Sequence, residues 1–320
     1  VNPYTLLLAQ SILGAGAELR YFDWRTALTA RFDVFHVHWP EILVDGRTPA
    51  RQLVRQVLTL LVIARLALLR RPIVRTVHNL DLPEGLSLAQ RSILALIDRR
   101  TAYRVRLNDH TPMPDDRFAT IPHGDFRGWF EGYERLAPIE GRVGYVGRIR
   151  RYKGVEALLD AFADTARVGA GAPTTGLSAR IVGYASTPEL AENLGTQAAS
   201  DPRVSIEFGF VSDAEIVDVV TSSSLVVLPY RSMHNSSAAI TGLSLDRPVL
   251  VPDNAVTRDL AAEMGPGWVH VFEGELSAGA ILDALAAPTP DSPPDMRGRD
   301  WSDSGRAHVA AFAAALGRRA

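Results

Sequence analysis

The sequence predicts an α/β protein made of two doubly wound units with mostly parallel sheets. Two observations carry this. Strand-type and helix-type segments alternate along nearly all of the 320 residues. An irregular stretch, GWFEGYERLAPIEGR at 128–142, divides the alternation into two runs of similar size. The length suits two domains or one large α/β unit.

In the first run, PYTLLLAQSILGAGA has the pattern of a helix, and AELRYFDW and FDVFHVHWP have the pattern of strands. A long helix is expected over about 50–70. It is followed by the strand PIVRTVHN, a helix near 87–101, and the strands AYRVRLN and FATIPHG. A doubly wound unit usually opens on a strand, so the leading helix suggests that one strand precedes this sequence. In the second run, GRVGYVGRI is a strand, GVEALLDAFADTAR a helix, SARIVGYA a strand and TPELAENLGTQAAS a helix. RVSIEFGF, SLVVLPY and PVLVPD are strands, the second of them buried, and SDAEIVDVVTSS and SSAAITGLSLD are helices. APTPDSPPDMRG is proline-rich and breaks the pattern before a last helix, SDSGRAHVAAFAAALG. The expected domains are 1–140, 141–300 and a C-terminal helix at 301–320.

Composition excludes several classes of function. The chain has no cysteine, which removes disulfides, thiolate catalysis and Cys-based metal sites. A net charge of −2 gives no general basic field, so no nucleic-acid partner is expected. The N-terminus lacks a basic region and a small-residue cleavage site, so it does not have the pattern of a signal peptide. LVRQVLTLLVIARLALLRRP at 53–72 is the most apolar run, but Arg55 and Arg65 interrupt it. A spanning helix needs about 20 apolar residues. The run is therefore an amphipathic helix whose first reading is packing on a sheet; the flanking Arg51, Arg55, Arg70 and Arg71 support a second, an interfacial membrane helix. A cytoplasmic chain, peripheral on the inner face of the plasma membrane through 51–71, is the corresponding expectation.

The segment GYVGRIRRYKG carries the clearest chemistry. Of 34 lysines and arginines, Lys153 is the single lysine. A strand runs into Gly147, the chain turns, and a helix begins at Gly154 or Val155. Glycine permits close backbone approach, and a helix start presents free N–H groups to an anion. Arg148 adds a forked cation and Lys153 a compact one, a pairing suited to a diphosphate. A second helix start of the same kind follows SLVVLPY, where Asn235, Ser236 and Ser237 are all N-cap types. Each segment alone is also compatible with a solvated loop and an ordinary capped helix.

Taken in order and spacing over about 140–255, VGYVGRIRRYKGVEALLDAF, IEFGFVSDAEIVDVVTSSSLVVLPY and TGLSLDRPVLVPD resemble the C-terminal domain of GT-B glycosyltransferases of the glycosyltransferase 4, or group 1, type. HVHWPE, TVHNLDLPE and IPHG resemble the N-terminal domain of that fold. The resemblance implies two Rossmann-like domains facing a cleft, with the last helix crossing back to the first domain. It places Gly147, Arg148 and Lys153 at the donor pyrophosphate and Phe210 and Val211 beside the nucleobase. Ser236 and Ser237, with Asn235, fall at a helix start facing the phosphates. Retaining members carry two glutamates eight residues apart before RPVLVPD; Met233 and Thr241 stand there in this chain. Thr241 can offer the ribose one hydrogen bond, whereas Met233 cannot replace a carboxylate near the sugar. Donor-sugar handling therefore differs, or the branch has another stereochemical outcome, as in the glycolipid β-mannosyltransferases with similarly altered loops.

In the first half, three strand ends carry imidazoles and carboxylates: His36, His38 and Glu41; His78, Asn79, Asp81 and Glu84; and His123 with Asp125. Such groups take protons from hydroxyls near neutral pH. His38 or Glu41 is a candidate base, and by the resemblance His78 contacts the donor sugar while His123 and Gly124 lie near the interdomain linker. His36 is expected to be structural. No Asp-x-Asp motif is present and zinc's cysteine partners are missing, so metal-independent chemistry is expected. The expected activity is transfer of a hexose from a GDP- or UDP-sugar, without other cofactor, to a hydroxyl of a glycan, lipid-linked or small-molecule acceptor. A catalytically silent nucleotide-sugar binder or accessory subunit, and a sugar-nucleotide epimerase, are the alternatives.

Overall fold

The computed structural model describes residues 2–168 and 176–317. The chain folds as two compact units, one spanning residues up to 124 together with those from 299, the other spanning 125–298. The division falls before the expected break at 138–142, for a local reason. Phe126 donates its N–H to Ser244 Oγ at 2.9 Å, and Arg127 and Arg135 both pair with Asp246. Leu136 N–H bonds Thr221 Oγ1 at 3.0 Å. The segment 125–136 is thus bonded into the second unit.

The first unit opens with α1 (Pro3–Gly14) and α2 (Trp24–Thr29), followed by β1 (Phe35–Val37), α3 (Glu41–Val44) and α4 (Pro49–Leu68). Then come β2 (Ile73–Val77), α5 (Leu88–Arg100), β3 (Thr101–Arg106) and β4 (Phe118–Thr120). The sheet is parallel throughout, in the order β1-β2-β3-β4. Residues 17–23, expected as a strand, form none. Tyr21 and Phe22 are largely exposed, and Asp23 instead caps α2 by accepting from Thr26 N–H.

The second unit contains β5 (Ile139–Ile149), α6 (Val155–Val168), β6 (Ser178–Ala185), α7 (Pro188–Ala199), β7 (Val204–Phe208), α8 (Asp213–Thr221) and β8 (Ser223–Val227). It continues with α9 (Ser237–Ser244), β9 (Val249–Pro252), α10 (Ala255–Met264), β10 (Val269–Phe272) and α11 (Ala278–Ala286). Its parallel sheet has the order β7-β6-β5-β8-β9-β10, the 3-2-1-4-5-6 order of a Rossmann sheet. Tyr145, Ile149, Phe162, Ile181, Leu225 and Leu250 fill its core with almost no exposed surface. The order reverses between β5 and β8, which makes the C-terminal edge of that pair the natural ligand crevice.

The last helix, α12 (Trp301–Gly317), belongs to the first unit, where it packs on α1, β2, β3 and β4. Gly305 allows this approach, since a Cβ there would lie 2.2 Å from the Ser11 carbonyl oxygen on α1. Residues 318–320 of the expected C-terminal segment lie outside the described residues.

Candidate active site

In the second unit, β5 ends at Ile149 and a single 3-10 turn, Arg151–Lys153, leads into α6. Gly154, at φ +65, joins them, and a Cβ there would sit 2.1 Å from the Pro229 carbonyl oxygen. Only glycine lets the α6 start close this tightly on the end of β8. The closure brings Lys153 to Tyr230. Its Nζ donates to the phenol oxygen at 3.0 Å and lies 4.8 Å from the ring centre. Tyr152 adds an edge-on ring at 6.3 Å from Tyr230, and its carbonyl accepts from Arg231 N–H. Burial first, then the neighbouring Arg150 and Arg148, push the Lys153 ammonium down to about 8. Burial likewise raises the Tyr230 phenol, partly offset by a hydrogen bond with Ser236. Arg148 itself is exposed, and Gly147 takes φ +131 with open space where a side chain would be. The two loops at the switch point thus meet through Lys153, Tyr230 and Ser236.

Ser236 is also the N-cap of α9, accepting from Ala239 N–H at 3.3 Å, and Ser237 is the exposed first residue of that helix. Asn235 precedes them and is half-buried. Thr241 lies one turn further along α9 and is half-buried; Met233 is buried, and its carbonyl accepts from Asn254 Nδ2 at 3.0 Å. Phe210 and Val211 follow β7 at the sheet edge, two strands or about 10 Å from β5. Phe210 is 88% exposed.

In the first unit, adjacent strands β1 and β2 end next to each other, and the residues just past them meet. His38 Nδ1 and His78 Nε2 share a hydrogen bond of 3.0 Å. Trp39 stacks on His78, with ring centres 4.5 Å apart and planes at 19°. Tyr4, from α1, is buried edge-on to both imidazoles and lies 4.6 Å from His123. His36 lies one strand pleat deeper, where its Nε2 bonds Thr76 Oγ1 at 2.8 Å. Burial pushes His38 down to about 3 and His78 well below the usual imidazole range, so both are neutral at neutral pH. The same burial disfavours the protonated form of either ring. Glu41 heads α3 close in sequence to His38, but its carboxylate makes no hydrogen bond within the described residues.

His123 donates Nδ1–H to the Gly124 carbonyl at 2.7 Å, and burial holds it down at about 4. Gly124 lies against Trp301, whose ring a Cβ would meet at 2.4 Å, and Arg299 donates to the His123 carbonyl. Tyr4, Trp301, His308 and Tyr230 are site neighbours that local motifs do not reveal. His308 sits on α12, 5.6 Å from the His36 ring, with Nδ1–H given to the Ser304 carbonyl. Among the described residues, no group of three or more His, Asp or Glu is arranged to hold a metal ion.

Comparisons with known proteins identify the family. The family model described as glycosyl transferases group 1 matches residues 140–287, which contain every candidate donor residue. A curated protein of Xanthomonas campestris pv. campestris, GDP-mannose:glycolipid 4-beta-D-mannosyltransferase, is 38% identical over 320 residues, covering 99% of this chain and 89% of its own length. Among solved structures, AviGT4, a glycosyltransferase involved in avilamycin A biosynthesis, aligns with TM-score 0.59 at 15% identity, over 98% of this chain and 89% of that one. Anabaena HepE in complex with UDP-glucose aligns with TM-score 0.57 at 14% identity, over 99% and 82%. The structural likenesses show a GT-B fold. The relatives are transferases, which leaves the silent-binder and epimerase readings without support. The chain belongs to the group 1 glycosyltransferases and is a hexosyltransferase of GT-B fold that uses a nucleotide sugar.

Proposed function

We propose that this enzyme transfers mannose from GDP-mannose to a hydroxyl of a lipid-linked glycan, with inversion at the sugar carbon. The observation that carries the reading is the 38% identity, over nearly the whole chain, to a transferase whose name states that donor, a glycolipid acceptor and a β-linkage. The site chemistry supports it. Met233 and Thr241 stand where retaining relatives of the expected type carry glutamates, so no carboxylate from those positions reaches the donor sugar. An inverting displacement needs a base for the acceptor proton, and His38, held in place by its hydrogen bond with His78, is the candidate for it.

In this reading Lys153 and Arg148 bind the diphosphate and the start of α9, with Asn235, Ser236 and Ser237, takes its remaining charge. As the bond from the sugar carbon to the diphosphate oxygen breaks, these groups stabilise the leaving nucleoside diphosphate. The acceptor oxygen attacks from the opposite face, and its proton passes to the histidine pair. Phe210 and Val211 flank the guanine, and Thr241 bonds the ribose. His123 and Gly124 brace the acceptor half by their contacts with Trp301 and Arg299. Glu41 is the weaker candidate base, for lack of any fixed partner. Residues 51–71 would hold the enzyme peripherally at the cytoplasmic face, beside a lipid-borne acceptor.

The test is a transfer assay with GDP-mannose, UDP-glucose and UDP-galactose, on a detergent-solubilised lipid-linked acceptor mixture, with and without EDTA. The expected result is mannose transfer from GDP-mannose, unchanged by EDTA, with a β-anomeric proton signature in the product. Transfer from a UDP-sugar alone, or an α-product, would overturn the reading.

A further inference from the structure

Helix α4 buries Val62, Ile63 and Leu66 in the core of the first unit, yet it is also apolar on the face turned to water. Its inward face includes Gln56 and Thr59, both buried, and Thr59 spends its hydroxyl on the Leu43 and Arg55 carbonyls. Its outward face carries Leu53, Val54, Val57, Leu60, Leu61 and Leu68, which are 62%, 57%, 48%, 43%, 50% and 84% exposed. At 100° per residue these positions, with exposed Ala64 between them, fall in one arc of about 120° that runs for about 22 Å. A stripe of that length is the kind of contiguous apolar surface that marks an interaction site rather than scattered exposure.

Charge indicates the partner. Residues 47–71 contain six arginines and no carboxylate, in a chain whose net charge is −2. Three of the six have duties inside the fold. Arg55 donates to the Ile42 and Asp45 carbonyls, Arg65 to those of Ala27 and Ala30, and Arg71 pairs with Asp33. Arg47 and Arg51 do not. They are exposed and, with Asp45, Gly46 and Arg55, line a cavity of about 440 Å³ at the N-terminal end of the stripe. Gly46 sets the cavity floor. A Cβ there would lie 2.5 Å from Gln52 N, so a larger residue would push the loop off the helix. The one carboxylate of the cavity, Asp45, accepts from Gly46 N–H. An aliphatic stripe that ends in a pocket with two uncommitted guanidiniums matches acyl chains next to phosphate headgroups. No helix among the described residues is long and apolar enough to cross a membrane, so the fit is to a surface.

We propose that α4 docks the enzyme on an anionic bilayer, with its outward stripe lying in the interfacial layer and Arg47 and Arg51 holding the phosphate of a lipid headgroup. This deepens the reading of a lipid-linked acceptor and rests on it. The surface would keep the enzyme in the plane where such an acceptor diffuses.

The test is flotation of the full chain with vesicles of phosphatidylcholine alone, or with about 30% phosphatidylglycerol, alongside Arg47→Ala/Arg51→Ala and Val57→Asn/Leu61→Asn. Unchanged melting temperature and GDP response would show that the variants fold. Each cation near an anionic surface contributes about fivefold in partitioning, so the double arginine variant should lose roughly 25-fold on the anionic vesicles. The asparagine pair should lose at least about tenfold. Wild-type binding equal on both vesicle types, or variants that float like wild type, would overturn the proposal. So would a stable dimer in solution that the asparagine pair dissociates, because the stripe would then be a protein interface. Mannose transfer to the detergent-solubilised acceptor, measured in parallel, reports separately on the proposed function.

Discussion

The most discriminating prediction concerns Lys153 and pH. In the free enzyme its ammonium is held down at about 8 by burial and by Arg150 and Arg148. A bound diphosphate reverses that balance, because an anion beside a base favours its charged form. Donor affinity is then linked to protonation. At pH 7 about nine-tenths of the free enzyme carries the proton, and at pH 9 about one-tenth does. If the bound form keeps its proton throughout, the affinity for GDP falls about tenfold between those two pH values. Arg148 and Arg150 do not titrate in this range and cannot produce the slope.

The assay is isothermal titration calorimetry of GDP binding from about pH 6.5 to 9.5, on wild type and Lys153→Gln. The variant is the control, because any titration of the nucleotide is common to both proteins. The wild type should show the tenfold fall and an uptake of protons above pH 8, and the variant neither. Removing the charge-assisted bond should also weaken binding at pH 7 by about tenfold or more. If the two proteins show the same pH profile, Lys153 does not face the diphosphate, and the switch-point assignment fails with it.

Two further outcomes follow from the first unit. His38→Ala should lower kcat by about 100-fold or more while the calorimetric affinity for GDP stays within twofold, as for a base that does not hold the donor; equal loss in both would make His38 structural. The buried imidazoles also predict acid sensitivity. His38, His123 and His308 are held at about 3, 4 and 4, below the unfolded value, so the unfolded chain binds more protons as pH falls. Their stabilisation is whole above about pH 6.5 and is lost as pH drops towards 4, at about 1.4 kcal/mol per histidine per pH unit in the limit. The melting temperature should fall steeply from about pH 6.5 to 4.5, and a flat profile would refute the buried neutral cluster.

What could be read in the sequence is whatever local chemistry decides. The β5–α6 junction was legible because Gly147, Arg148, Lys153 and Gly154 lie within eight residues, between an apolar strand and a helix of 3.6-residue period. The α9 start was legible because Ser236 caps by a bond to a residue three positions on. The partners that tune these groups were not. Tyr230 meets Lys153 only because β5 and β8 are neighbours in the sheet, a fact of strand order rather than of spacing. Tyr4 reaches the histidine pair from α1, while on α12, from the opposite end of the chain, Trp301 meets Tyr4 and His123, and His308 meets His36. AELRYFDW alternates like a strand but has no strand to pair with, and the alternation alone does not supply one. The elements α3 and β10, four residues each, are too short to show a period.

The single lysine follows from the same geometry. Arginine serves the rest of this chain, in surface pairs and carbonyl clasps, where a permanent charge costs little. The Lys153 position differs in three ways: it is largely buried, it stands against an aromatic hydroxyl, and it has two guanidiniums near it. A third guanidinium there would be fully charged at every pH before donor arrives, with burial and repulsion opposing it and, among the described residues, no carboxylate paired with it. An ammonium near its own pKa relieves part of that cost by titration and, in the proposed donor site, would take up its full charge when a diphosphate enters. A cluster of cations held partly unsatisfied is selective for the ligand with most negative charge to bring. In a nucleotide sugar that ligand is the diphosphate, and the bond to be broken is attached to it.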